Sequence, residues 1–149
     1  LYVDKRNAKA PVEMFSQAGR VGPAYCTGVG KAMLAHLPGP LLEEALRRQS
    51  FHRFTPRTLT DPQALREELA RIRAAGHALD REEHEPGIVC VAVPILARAG
   101  RVMGAVSVTS TTARKGLDAL AALAPRLRAV AAAIAADAES WHFPQQDQA

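Results

Sequence analysis

The segment from Asp61 to Gly76 constrains this chain more than any other, because it marks both of its own ends. Asp61 stands where a helix cap belongs. Pro62 takes the first-turn position, where its missing N–H costs nothing, and Gly76 supplies a left-handed close. Between them Leu65, Leu69 and Ile72 recur at i, i+4 and i+7, so one stripe faces a core while Arg66, Glu67, Arg71 and Arg73 face water. Three strands are expected next: about His77 to Asp80, Ile88 to Leu96, and Val102 to Thr109. The last two meet through Ala99-Gly100-Arg101 as an antiparallel hairpin. The expected fold class is α/β in the α+β sense, a mainly antiparallel sheet flanked by helices.

Weaker signals fill in the rest. Leu1 to Val3 and Val12 to Gln17 read as short strands joined by a turn at Asn7-Ala8-Lys9, and Gly19 to Pro23 reads as loop. Thr27 sits at a helix-cap position, and Lys31 to Leu37 carry a helical pattern that stops at Pro38-Gly-Pro40. Leu41 to Arg48 is a second short helix with Leu42, Ala45 and Leu46 on one face. From about Gly116 to Ala138 an Ala-rich helix shows Leu117, Leu120, Leu123, Leu127, Val130 and Ile134 on one side, and Pro125 kinks or splits it. Residues 1–139 form the expected domain, with 140–149 as a tail frayed from Pro144 onward.

A chain of 149 residues fits one domain. Its abrupt start at Leu1 suggests a fragment from which a preceding domain has been removed. No apolar run is expected to reach the length of a membrane span. Lys and Arg exceed Asp and Glu by 19 to 15, but they are scattered rather than gathered into a stripe, which argues against direct DNA binding. Two distant cysteines, Cys26 and Cys90, form neither a disulfide framework nor a zinc motif, and they fit a reducing cytoplasm. No metal and no cofactor are expected, since the five histidines never fall at tight ligand spacing.

Several residues could carry chemistry. Thr27-Gly28-Val29-Gly30-Lys31 invites comparison with a phosphate loop, but Tyr25 and Ala32 stand where that motif needs Gly and Ser or Thr. What survives is a helix start with uncovered N–H groups that could hold an anion. The alternative is that the glycines only permit close packing on the sheet. Strand alternation puts Ile88, Cys90 and Ala92 on one face, and Ser107 shares a face with Thr109 on the last strand. Asp80, Glu82, Glu83 and Glu85 form an acidic turn from which one carboxylate could point inward. A thiol enzyme using Cys90 with His84 as base is a rival reading, disfavoured by the acids around His84.

Six segments in order carry a resemblance: Gly30-Lys-Ala-Met-Leu-Ala35, Phe54-Thr-Pro-Arg-Thr-Leu-Thr60, Leu69-Ala-Arg-Ile-Arg-Ala-Ala-Gly76, Asp80-Arg-Glu-Glu-His-Glu-Pro-Gly87, Cys90-Val-Ala-Val-Pro94 and Gly100-Arg-Val-Met-Gly-Ala-Val-Ser-Val108. From Leu1 to about Ala138 the chain resembles the C-terminal effector-binding domain of IclR-type bacterial transcription regulators. The resemblance implies a GAF-like domain normally preceded by a winged helix-turn-helix. It also implies a small organic effector, a carboxylate or aromatic acid, with DNA bound only through the absent N-terminal domain, and a homodimer or homotetramer. By position, the N–H groups of Gly28 and Val29 would hold a carboxylate. Asp80, Cys90, Ser107 and Thr109 would supply polar contacts, and Met14, Gly22 and Ile88 the apolar wall. This chain departs from relatives at Arg81, Val89 and Thr109-Ser-Thr111. Gly22 also replaces what can be a bulky wall residue, which implies a larger cavity. A domain that only oligomerises is the third reading.

Overall fold

The computed structural model of the chain describes residues 1–9 and 13–140. Among the described residues five α-helices and three strands follow a short 3-10 turn at Ala24–Cys26, as α1 (Gly28–Leu34), α2 (Gly39–Arg47), α3 (Pro62–Ala75), β1 (Ala78–Arg81), β2 (Ile88–Leu96), β3 (Val102–Thr111), α4 (Leu117–Ala121) and α5 (Ala124–Ser140). The strands form one antiparallel sheet in the order β1-β2-β3, with β2 central.

Helix α3 ends where its punctuation says. The Asp61 carboxylate accepts from the Ala64 amide at 2.7 Å, and Gly76 closes the helix at φ +69° with its N–H on the Ile72 carbonyl. Gly100, at φ +77°, turns β2 into β3, and the Ala97 N–H reaches Arg101 O at 2.9 Å. A register irregularity between Ile95 and Leu96 bends the end of the ladder.

The sheet separates two cores because side chains alternate along each strand. On one face Val89, Val91 and Val93 meet Leu120, Ala124, Leu127 and Ala131 of α4 and α5. On the other, Ala78 and Ala92 join Cys26, Ala32, Leu34, Leu65, Leu69 and Ile72 from the first half of the chain. The result is three layers, helices on both sides of a sheet.

Four expectations need correction. No strand forms among the described residues of 1–17; Val12, with the start of the second expected strand, lies outside them, as do residues 141–149 of the expected tail. Instead the Tyr2 N–H donates to Arg20 O at 2.9 Å and Gly19 N–H donates to Tyr2 O at 2.8 Å. Helix α1 starts after Thr27 as expected but ends at Leu34, short of Leu37, and the Thr27 hydroxyl donates to Pro23 O at 2.8 Å instead of capping. The terminal helix splits ahead of Pro125, and its buried stripe is rotated: Ala131 and Ala135 are buried, whereas Val130 and Ile134 are 44% and 40% exposed. Small alanines allow the close approach that the β2 valines require. Finally, Leu117–Ser140 is long and apolar enough by composition to cross a membrane, with a mean hydropathy of 1.5. Its buried residues pack on β2.

Candidate functional site

Helix α1 lies against the sheet face that carries Ala78, Ala92 and Cys90, and Gly28 is its closest point. A Cβ placed on Gly28 would stand 2.3 Å from Cys90 Sγ, 3.4 Å from Ala92 Cβ and 3.8 Å from Asp80 Cβ. No side chain fits there, so this glycine is required by contact. The antiparallel register sets Asp80 opposite Cys90 and Cys90 opposite Thr109, a polar row across all three strands. The next row on this face runs from Ala78 through Ala92 to Ser107.

Electrostatics at this row are dominated by desolvation. Burial pushes the Asp80 carboxyl up to about 7; the Glu83 N–H, donating to Asp80 Oδ1 at 2.8 Å, and the Lys31 charge pull the other way without cancelling it. Burial likewise drives the Cys90 thiol up to about 12, with Asp80 adding to the effect, although the backbones of Asp80 and Gly28 favour the thiolate. Burial raises Cys26 to about 12 as well. A thiol this reluctant to ionise is a poor nucleophile. His84 does not serve it either: its ring packs between Phe15 and Phe54, with centroids 4.8 and 4.7 Å away.

Beside the row lies a group of charges that periodicity did not reveal. Lys31 is fully buried, with Nζ 2.6 Å from Glu83 Oε1 and 3.3 Å from Glu68 Oε1. Glu68 also receives Arg81 Nη1 at 2.9 Å and Arg71 Nε at 3.2 Å. Burial alone would raise Glu68, but Lys31 and then Arg81 outweigh it and hold the carboxyl below its usual range. Glu83 turns inward because Glu82 takes a left-handed conformation, φ +63°. The turn is clamped from the α2–α3 connection: Thr55 Oγ1 donates to Glu82 O and Thr58 Oγ1 to Glu83 O, both at 2.7 Å.

The expected site residues divide three ways. Gly28, Asp80 and Cys90 converge, Thr109 completes their row, and Ser107 sits in the next. Ile88 shares their face, paired with Thr111 at the sheet end, while the Val29 side chain packs into the core on that side. Met14 stands apart, lining a cavity of about 340 Å³ with Glu13, Phe15, Gln17, Arg20 and Glu85. Gly22 faces the ring of Tyr2, whose Cε2 would be 3.0 Å from a Cβ there. The space expected from the missing wall residue is therefore filled by that ring, contrary to the larger cavity the resemblance implies. Among the described residues no group of three or more His, Cys, Asp or Glu could hold a metal ion.

Residues 1–136 match the family described as Bacterial transcriptional regulator IclR C-terminal, and the chain belongs to that family. It is 39% identical over 123 residues to the HTH-type transcriptional regulator BhcR of Paracoccus denitrificans, covering 83% of this chain and 44% of that protein. The crystal structure of the Thermotoga maritima IclR superposes with a TM-score of 0.84 at 33% identity, covering 90% of this chain and 54% of that one. An inducer-binding domain of the PobR transcription factor from Acinetobacter, a double mutant in complex with 3-hydroxybenzoic acid, gives a TM-score of 0.70 at 29% identity. That match covers 83% of this chain and 73% of the PobR chain. The chain spans about half the length of the curated relatives it matches. These relatives are named as transcriptional regulators.

Proposed function

We propose that residues 1–139 are the effector-binding and oligomerising domain of an IclR-type transcription regulator, and that the site is the sheet face beneath Gly28. The observation that carries this reading is the row Asp80–Cys90–Thr109, its first two members buried, beneath a helix start where Gly28 has no room for a side chain. Such a setting, mostly apolar with a few convergent polar groups, suits a small organic acid. A neutral Asp80 carboxyl can donate to a ligand carboxylate, and the Thr109 and Ser107 hydroxyls can donate or accept. The effector would be an aliphatic or aromatic carboxylate; the PobR domain in complex with 3-hydroxybenzoic acid supports that class. Ile88 would contribute apolar wall, whereas Met14 lines the separate cavity with Phe15 and Glu85.

In the full-length protein an effector would act by its unequal affinity for two arrangements of attached DNA-binding domains. DNA contact would come through a preceding winged helix-turn-helix, in the cytoplasm, within a homodimer or homotetramer. The exposed Val130 and Ile134 of α5 offer apolar surface for such pairing.

A thermal-shift screen against aliphatic and aromatic carboxylates tests the reading. A true effector raises the melting temperature with concentration, and Asp80→Ala or Ser107→Ala abolishes that rise. No response across the panel would overturn the acid and leave an assembling domain.

A further inference from the structure

Glu83 is served on one side only. Its Oε1 takes Lys31 Nζ at 2.6 Å and the Arg81 N–H at 3.4 Å. Its Oε2 is the buried side-chain atom left without a hydrogen-bond partner among the described residues, on a side chain only 4% exposed. Leaving a buried carboxylate oxygen without a donor is costly, and folded proteins keep few such atoms. Glu83 also lines a cavity of about 220 Å³, together with Glu68 of α3, Arg81 at the end of β1, and Arg57 and Leu59 of the α2–α3 connection. None of these residues belongs to the row Asp80–Cys90–Thr109 or lines the Met14 cavity.

The cavity is polarised. Its carboxylates, Glu68 and Glu83, are buried, whereas the Arg57 and Arg81 side chains are 62% and 45% exposed. Ion pairs join Lys31, Arg57, Arg71 and Arg81 to Glu68, Glu82 and Glu83, which leaves one positive charge over. Arg57 Nη2 stands 3.9 Å from Glu82 Oε1, too far for a hydrogen bond. A guanidinium in that position can turn to an incoming carboxylate, whose two oxygens its planar fork matches.

We propose that this cavity is a second small-molecule site, separate from the row under Gly28, for a compact acid bearing a hydrogen-bond donor beside its carboxylate. The carboxylate lies at the rim on Arg57 and Arg81. The hydroxyl or ammonium group beside it donates to Glu83 Oε2, and the short carbon chain rests on Leu59. Selection is made by the donor, since an acid without one leaves Oε2 unserved and gains only the rim contacts.

Isothermal titration calorimetry on the whole chain tests this with L-lactate, L-alanine and propionate, which share one carbon skeleton. Lactate offers a hydroxyl donor, alanine an ammonium, and propionate neither. If the site exists, lactate or alanine binds, and propionate binds about tenfold or more weakly for want of one charge-assisted hydrogen bond. Whichever of the two binds more tightly identifies the donor. Arg57→Ala, at an exposed side chain, weakens that binding about tenfold or more, and Arg57→Gln replaces it should it fail to fold. Ser107→Ala, on the sheet, leaves the binding unchanged; an Asp80 variant is a poorer control, because Asp80 accepts the Glu83 N–H. If neither lactate nor alanine binds, solvent alone serves Oε2 and the proposal is overturned. It is equally overturned if propionate binds as well as they do, or if the binding survives Arg57→Ala. Binding lost in Ser107→Ala but kept in Arg57→Ala puts the acid on the polar row, which overturns the second site and supports the first.

Discussion

Lys31 Nζ lies 2.6 Å from Glu83 Oε1, with both side chains withdrawn from water. Their partners come from separate elements, so the pair joins α1 to the turn after β1 while Glu68 brings in α3. A buried ion pair gains little over an apolar pair of the same shape, but losing one member strands the other. Lys31→Met should therefore lower stability by about 3–5 kcal/mol, read as a fall in the urea midpoint at unchanged slope. Adding Glu83→Leu should restore much of the loss. Arg71→Ala, at a half-exposed pair, should cost only about 0–1 kcal/mol.

Gly28 and Cys90 are a coupled pair. Gly28→Ala drives a methyl group to 2.3 Å from Cys90 Sγ and should destabilise the domain by about 1–3 kcal/mol. Removing the sulfur in Cys90→Ala makes room for it. The double variant should be more stable than the sum of the single losses predicts, and a double-mutant cycle in urea measures the difference. Strict additivity would show that the two side chains do not meet.

Asp80 gives stability a pH dependence of definite sign. Burial holds its folded pKa at about 7, above the ordinary value of 3.8, so the folded state prefers the protonated acid. The benefit is complete below the unfolded value and is lost as the pH rises towards 7. Relative to Asp80→Asn, the wild type should lose ground steadily between pH 4 and 7 and level off above that. Urea midpoints of the two proteins across that range check it; parallel curves would contradict a neutral buried acid.

Thr58 holds three groups at once. Its hydroxyl accepts from the Phe54 and Thr55 amides and donates to Glu83 O. Thr58→Val leaves those groups without a partner in a buried place and should cost about 1–3 kcal/mol. Because Glu83 would lose its clamp, hydrogen exchange at its amide, which is bonded to Asp80, should quicken more than exchange in α3.

Local signals were the legible ones. Asp61, Pro62 and Gly76 fix α3 within their own neighbourhood, and Gly100 does the same for the β2–β3 turn, so both could be read without knowing the partner surfaces. The alternation that puts Cys90 and Thr109 on one face is equally local, and the two face each other across the ladder. The N-terminal strands were not legible, because a strand exists only if a partner accepts it, and Tyr2 finds the 19–20 loop instead. The face of α5 was misjudged for a related reason: hydrophobic periodicity favours Val130 and Ile134, while close packing on β2 selects alanines. The Lys31–Glu83 pair spans 52 residues, and its only sequence trace is a lysine set among small and apolar neighbours on a short helix. The packing of the Tyr2 ring on residue 22 left no trace beyond the glycine at that position.

Strand β2 has two audiences. Its odd-numbered residues, Val89, Val91 and Val93, speak to α5, and its even-numbered ones, Cys90 and Ala92, to α1 and the polar row. If the proposed site is right, mutations at even positions retune chemical preference with little disturbance to the helix behind, while drift at odd positions alters robustness and leaves preference intact. A lineage carrying this strand could diversify what it senses one side chain at a time, on a platform that stays the same.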